Sequence, residues 1–238
     1  GNDGDGLSLA RATGRWTVAD AVVRDNTDAG IDAAETTGFW SVADTTVDGN
    51  ALCVLATGAA GDWTVSGRRV LFNDAEGTEA SETGGDWRVV DTNVSENGDG
   101  VVAPRSSGDW EIDNATVEFN DDDGIDAGDA DGNWTVYGTT DLTNNDLVAT
   151  GTSGRWAVHR TNLRVGSTID ATGTNPRGNA RRNWWGTPQG AGPIDGCVGN
   201  VTCRNPLGEE ADDDATGVDV TVYNGSDDRP FTGARVYL

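Results

Sequence analysis

The chain has 238 residues, with 40 acidic against 16 basic side chains and a formal net charge of −24. Every basic residue is Arg, Lys and Met are absent, and there is one His. This balance argues against a nucleic-acid partner, which needs a basic stripe, and no run of about 18 apolar residues offers a membrane span.

So large a negative charge opposes compaction in dilute buffer. At molar salt the Debye length falls to roughly 3 Å and the repulsion is screened. The composition is therefore read as an adaptation to saturating salt, of the haloarchaeal kind. Low hydropathy with high charge also fits disorder, but nine Trp at regular spacing speak against that. No signal peptide is visible, and a start at Gly1 without Met suggests a processed chain or one whose beginning is not covered.

In chain order, Trp recurs at positions 16, 40, 63, 87, 110, 134 and 156, every 22 to 24 residues. Two residues before each stands Gly: Gly14, Gly38, Gly61, Gly85, Gly108, Gly132 and Gly154. Two residues after stands Val18, Val42, Val65, Val89, Ile112, Val136 or Val158. Seven residues after come Val23, Val47, Val70, Val94, Val117 and Leu163, with Leu142 one place late. Ten residues after comes Asn26, Asn50, Asn73, Asn97, Asn120 or Asn144, and Gly166 breaks that column. A third apolar cluster closes most units, at Ile31, Leu52 with Val54, Val101 with Val102, Ile125, Leu147 with Val148, and Ile169.

Trp and Val two apart share one face of a strand. The second Val and the third cluster mark two further short strands. No single unit can bury its own apolar face, so the units must stack. The predicted fold is all-β: a right-handed parallel β-helix of about seven or eight coils, spaced ~4.8 Å and roughly 35 Å long. Three parallel sheets would enclose one core. The Trp column becomes an internal stack. The Asn column becomes an amide ladder along the axis, at a corner whose left-handed backbone Asn tolerates. The Gly column marks a place where a Cβ would clash. A leucine-rich repeat would need a Leu-dense consensus, and a propeller about 40 residues per blade.

After Trp156 the rhythm stops at Asn183-Trp184-Trp185-Gly186, followed by Pro188, Gly192-Pro193 and a Cys pair. This ending resembles the final coil of the NosD-like and pectate-lyase-like right-handed β-helix repeat family. The resemblance covers about residues 1–207 and implies a fold and an extracytoplasmic setting more than an activity. A Cys197–Cys203 disulfide is expected; closing so small a loop contributes about 2 kcal/mol and implies an oxidising compartment. Cys53, in an apolar run, reads as a buried packing residue. The helix with its cap is assigned to 1–208 and an acidic linker to 209–217. Residues 218–238 alternate Val218, Val220, Val222 around an Asn224-Gly225 turn. They resemble the opening strands of an Ig-like or carboxypeptidase-regulatory-like sandwich, and two strands cannot stand alone.

For chemistry, three readings are weighed. Polygalacturonase-type hydrolysis uses clustered Asp. Asn26-Thr27-Asp28 and Asp121 to Asp123 match fragments of its motifs, while the Gly-His-Gly and Arg-Ile-Lys elements are missing and His159 lacks their context. Lyase chemistry needs Ca²⁺-binding carboxylates and a basic residue. Arg68, Arg69, Arg160 and Arg164 are present without a lyase motif. Oxygen-rich loops suit Ca²⁺, and Asp121, Asp122, Asp123 and Asp126 are the candidate ligands, against plain solvation in a halophile.

Five glycosylation sequons occur, at Asn93, Asn114, Asn133, Asn200 and Asn224. Asn133 precedes a core Trp and should point outward. Trp184 and Trp185 are adjacent, so one is expected to face out as a glycan or partner contact. The resulting expectation is a non-enzymatic surface, adhesion or filament module of a halophilic archaeon. Its partners would be copies of itself or cell-surface proteins and glycans. A halophilic-virus tail spike and a glycan-cleaving enzyme stand as alternatives.

Overall fold

The computed structural model describes residues 1–164, 166–186, 196–204, 206–207 and 210–211. They form a parallel β-solenoid without a helix. The linker and the sandwich-like strands called at 209–238 lie, apart from 210–211, outside the described residues.

Most coils have three short strands, as in Trp40–Ala43, Thr46–Asp48 and Leu52–Leu55. All pairing is parallel and in column register, Trp on Trp and Val on Val. The third strands stack as a nine-stranded sheet. The other two faces were expected as separate sheets but join into one of fourteen strands. The link is made by two nine-residue strands, Trp63–Leu71 and Trp87–Ser95, which pair straight across the corner.

The interior is the predicted one. Seven indoles run from Trp16 to Trp156 with centroids 4.7–4.9 Å apart and planes within 11°. That separation exceeds the ~3.5–4.0 Å contact distance of carbon atoms, so the rings are offset. Offset stacks contribute about 1 kcal/mol per pair beyond their burial. Ile31, Val54, Val101, Ile125, Leu147 and Ile169 are buried from the third sheet. Between Val54 and Val101 that column holds Thr78, wholly buried as a near-isostere of Val.

The amide ladder is present with one correction. Asn26 donates to Asn50, Asn73 to Asn97 and Asn97 to Asn120, at 2.7, 2.7 and 3.0 Å. Asn120 then donates to Asn145 at 2.9 Å, not to the expected Asn144. One extra residue at the Gly138–Thr140 corner, the same insertion that puts Leu142 one place late, shifts the ladder by one. A register shift at Asp123/Ile125 restores the count. Asn145 is 2% exposed, whereas Asn144 lies on the surface.

The corner geometry also differs from expectation. Ladder members Asn26 to Asn120 are not left-handed; the residue before each is, at Asp25, Gly49, Phe72, Glu96 and Phe119. Two more left-handed columns run through Asp20, Asp44, Gly67, Asp91 and Asn114, and through Arg11, Glu35, Gly58, Glu82 and Arg105. Every coil therefore turns three left-handed corners. The Gly column is not among them. Its glycines are needed because a Cβ on Gly61 would strike the Gly38 carbonyl, and so on along the stack.

Candidate functional site

Stacking turns each sequence column into a row along the axis, so residues about 24 apart become neighbours. The row in which the third strand begins holds Glu76, Asp99, Asp123 and Asp146 on successive coils. The Asp123 amide donates to Asp99 Oδ1 at 2.8 Å, and the Thr168 amide to Asp146 Oδ1 at 3.0 Å. Asp122 joins this row at the corner. One oxygen from each of Asp99, Asp122 and Asp123 lies within 4.8 Å of the others, a spacing a hard cation could bridge.

Of the four expected ligands, Asp122 and Asp123 belong to this trio and Asp121 and Asp126 do not. Asp126 instead accepts the Gly128 amide at 2.8 Å. Asp99 was missed, although its place 24 residues before Asp123 marks it as the same column. Burial pushes the Asp123 carboxyl up to about 7, with Asp122, Asp126, Asp99 and Asp146 adding repulsion. Asp99 is raised by burial too.

A second row, on the outward face of the Trp strands, lines a shallow groove. Asp62, Asp86, Asp109 and Asn133 stack there, each receiving the amide of the next coil at 2.9–3.1 Å. Phe39 closes one end, with the Arg15 guanidinium 4.8 Å over its ring. Arg88 and Glu111 pair within the groove. Any stacked acid row supplies carboxylates one or two rungs apart, about 5 or about 10 Å. Glycosidase-like separations therefore follow from the coil and identify no catalyst. Asp123, the carboxyl with the largest upward shift, lines neither this groove nor its continuation past Trp156.

The remaining enzymatic candidates have structural occupations. Asn26 is a buried ladder member. His159 is half-buried with its ring stacked on Tyr137, and desolvation together with Arg182 and Arg160 holds its pKa below the usual range. Arg164 pairs with Asp141 at 3.2 Å and Glu210 at 2.9 Å. Arg69 is exposed on the Trp63–Leu71 strand and Arg160 occupies a left-handed corner. The strand pairs Arg68 with Thr92.

Neither Trp184 nor Trp185 stands free. Both are half-buried; Arg164 lies 5.5 Å over Trp184, and Trp185 packs on the core. Their neighbour Asn183 is fully buried, accepting from the Thr161 amide and donating to the Val158 carbonyl. Cys197 and Cys203 form a disulfide, and Cys53 is a buried free thiol. Among the sequons, Asn133 and Asn200 are exposed. Asn93 has its Oδ1 shielded, Asn114 donates to Asp91 at 2.7 Å, and Asn224 lies outside the described residues.

Two surface residues escaped the sequence reading. Phe72 and Phe119, two coils apart on one corner, are 53% and 49% exposed, and both have left-handed backbones. Holding a bulky residue there costs about 1–2 kcal/mol. No protein-family model matches the chain, and neither the curated proteins nor the solved structures provide a match.

Proposed function

We propose that the chain is a non-enzymatic structural or adhesion module on the surface of a halophilic archaeon, a stiff spacer in salt-saturated surroundings. The observation that carries this reading is how the reactive residue types are used. His159, Arg164, Asn26 and Asn183 are held in stacks, ion pairs and hydrogen bonds, and Asp123, whose carboxyl burial pushes up to about 7, lines neither groove. The Cys197–Cys203 bridge fits an extracytoplasmic setting. So does the likeness of the Asn183–Gly186 ending to the NosD-like family. A skin of short carboxylates with no Lys fits molar salt. Exposed Phe72 and Phe119 give the rod a place to touch a protein or glycan.

The test has two parts. Antibody against the folded chain should label intact cells of the source organism. The purified protein should release no sugar from a panel of neutral and acidic polysaccharides at high salt. Label confined to broken cells would overturn the surface assignment, and turnover would restore the enzymatic alternative.

A further inference from the structure

From the second coil to the seventh, the glycine before Trp has one reason to be glycine. A Cβ on Gly38 would strike the Gly14 carbonyl, one on Gly85 that of Gly61, one on Gly132 that of Gly108, and one on Gly154 that of Gly132. The demand always comes from the coil on the N-terminal side. Gly14 keeps the residue without the demand: nothing lies within 4 Å of a Cβ built there. Its φ is not left-handed, so no turn asks for glycine either.

The rest of the first coil repeats this pattern. Trp16 lies on Trp40 with one ring face, centroids 4.8 Å apart. The strands Trp16–Ala19 and Val22–Arg24 are each paired on one side only, and Val22 is 66% exposed. Asn2 already occupies the ladder, donating to Asn26 at 3.1 Å. Unpaired strand edges invite another strand.

The opposite end is finished differently. Asn179 pairs with Ala157, which places Gly178 over Trp156 and Pro176 two residues earlier, in the Gly column. Gly178 closes the indole stack and Pro176 closes the glycine column. Terminal repeats of solenoids depart from the consensus in this way because nothing stacks on them. At the N-terminal edge the consensus is intact.

We infer that the N-terminal edge is an interface for one more parallel coil of the same repeat, with Gly over Gly14 and Trp over Trp16, supplied by the same polypeptide ahead of Gly1. A second copy is a poorer occupant. The last described strand at its C-terminal end, Val201–Thr202, sets Val201 over Gly178, where the edge needs Trp. Two N-terminal edges meeting head to head would run antiparallel and would not set Gly on Gly. This inference stands apart from the surface function proposed above.

The test is hydrogen exchange on the complete gene product beside the 238-residue chain. In the shorter chain, peptide 16–24 should exchange much faster than its interior counterpart 40–48. In the gene product the two should match. Fast exchange of 16–24 in both proteins, or a gene product with no residues ahead of Gly1, would overturn the inference. Gly14→Val gives a second readout. It should leave the melting temperature of the shorter chain unchanged and lower that of the gene product, and no loss in the gene product would also overturn it. Protection of 16–24 that grows with concentration in the shorter chain would assign the edge to a second copy instead, and so overturn it.

Discussion

The Asn73 side-chain amide donates to Asn97 Oδ1 across one coil boundary at 2.7 Å, and the Asn73 backbone N–H shares the same oxygen at 3.3 Å. One buried oxygen therefore satisfies two donors of the coil before it. Removing it leaves the Asn73 backbone N–H unpaired and costs the side-chain amide one of its two bonds, the other going to the Leu71 carbonyl at 2.9 Å; each lost partner in a buried interior costs about 1–3 kcal/mol. Asn97→Ala should destabilise the fold by about 3 kcal/mol or more in chemical unfolding.

The same logic separates Asn145 from Asn144. Asn145→Ala should be as damaging as Asn97→Ala, because its Oδ1 accepts from Asn120. Asn144→Gly should leave stability unchanged or slightly raised, because Asn144 is exposed and left-handed at φ 50. Equal losses at both positions in denaturant titrations would contradict the shifted ladder.

The indole stack contains a built-in comparison. Trp40 Nε1 donates to Thr36 Oγ1 at 2.9 Å and Trp110 Nε1 to Ser106 Oγ at 3.1 Å. Trp63 has Ala59 at the equivalent position, and its N–H is buried without a partner. The local turn is the same, since the Ala59 and Ser106 amides donate to the carbonyls of Ala56 and Ala103, three residues before, at 3.0 and 3.3 Å. Thr83 and Thr152, at the same position before Trp87 and Trp156, donate to the Ala80 and Ala127 carbonyls and leave those indoles unpartnered, so Ser, as at position 106, is the residue to place: Ala59→Ser should add a hydrogen bond and stabilise the protein by about 1 kcal/mol. A thermal melt at fixed salt reads the gain, and a lower midpoint would show that the turn cannot hold the hydroxyl.

Asp123 sets a pH dependence whose sign is opposite to that of a salt-bridged carboxylate. Its folded pKa, about 7, lies above the ordinary value of 3.8. The folded state therefore holds this proton where the unfolded chain has lost it. The resulting stabilisation is present below the unfolded value and is lost as pH rises toward about 7. The raised Asp99 and Glu79 act in the same direction. His159, lowered from 6.5, opposes them by losing stability as pH falls below that value. Asp123→Asn should raise stability at pH 8 and flatten the slope between pH 4 and 7, measured by unfolding across that range at constant salt.

Much of this fold is legible because the residue columns are chemically pure. Trp, Gly, Val and Asn recur at fixed offsets, and a parallel coil is the arrangement that stacks each on its own kind. The left-handed corners were hidden because they hold Asp, Glu, Arg and Phe as well as Gly, so no residue type announces them. Thr78 was hidden because a Thr in a core column does not read as apolar. Asn144 was misassigned because counting from Trp134 ignores an insertion at one corner that a register shift later absorbs. The acidic trio was only half visible, since Asp122 and Asp123 are adjacent in sequence while Asp99 joins them through the coil period.

The account rests on an indole-lined solenoid whose acidic exterior is tolerated when screened. Its most direct test is the near-UV circular dichroism of the stacked indoles, followed through thermal unfolding at ~0.1 M and ~1 M salt, across which the Debye length falls from about 10 to about 3 Å. The prediction is an exciton signal from stacked Trp that is lost in one cooperative step, at a clearly higher midpoint in the higher salt. Absence of the exciton signal, or a midpoint that is flat or falls with salt, would contradict it.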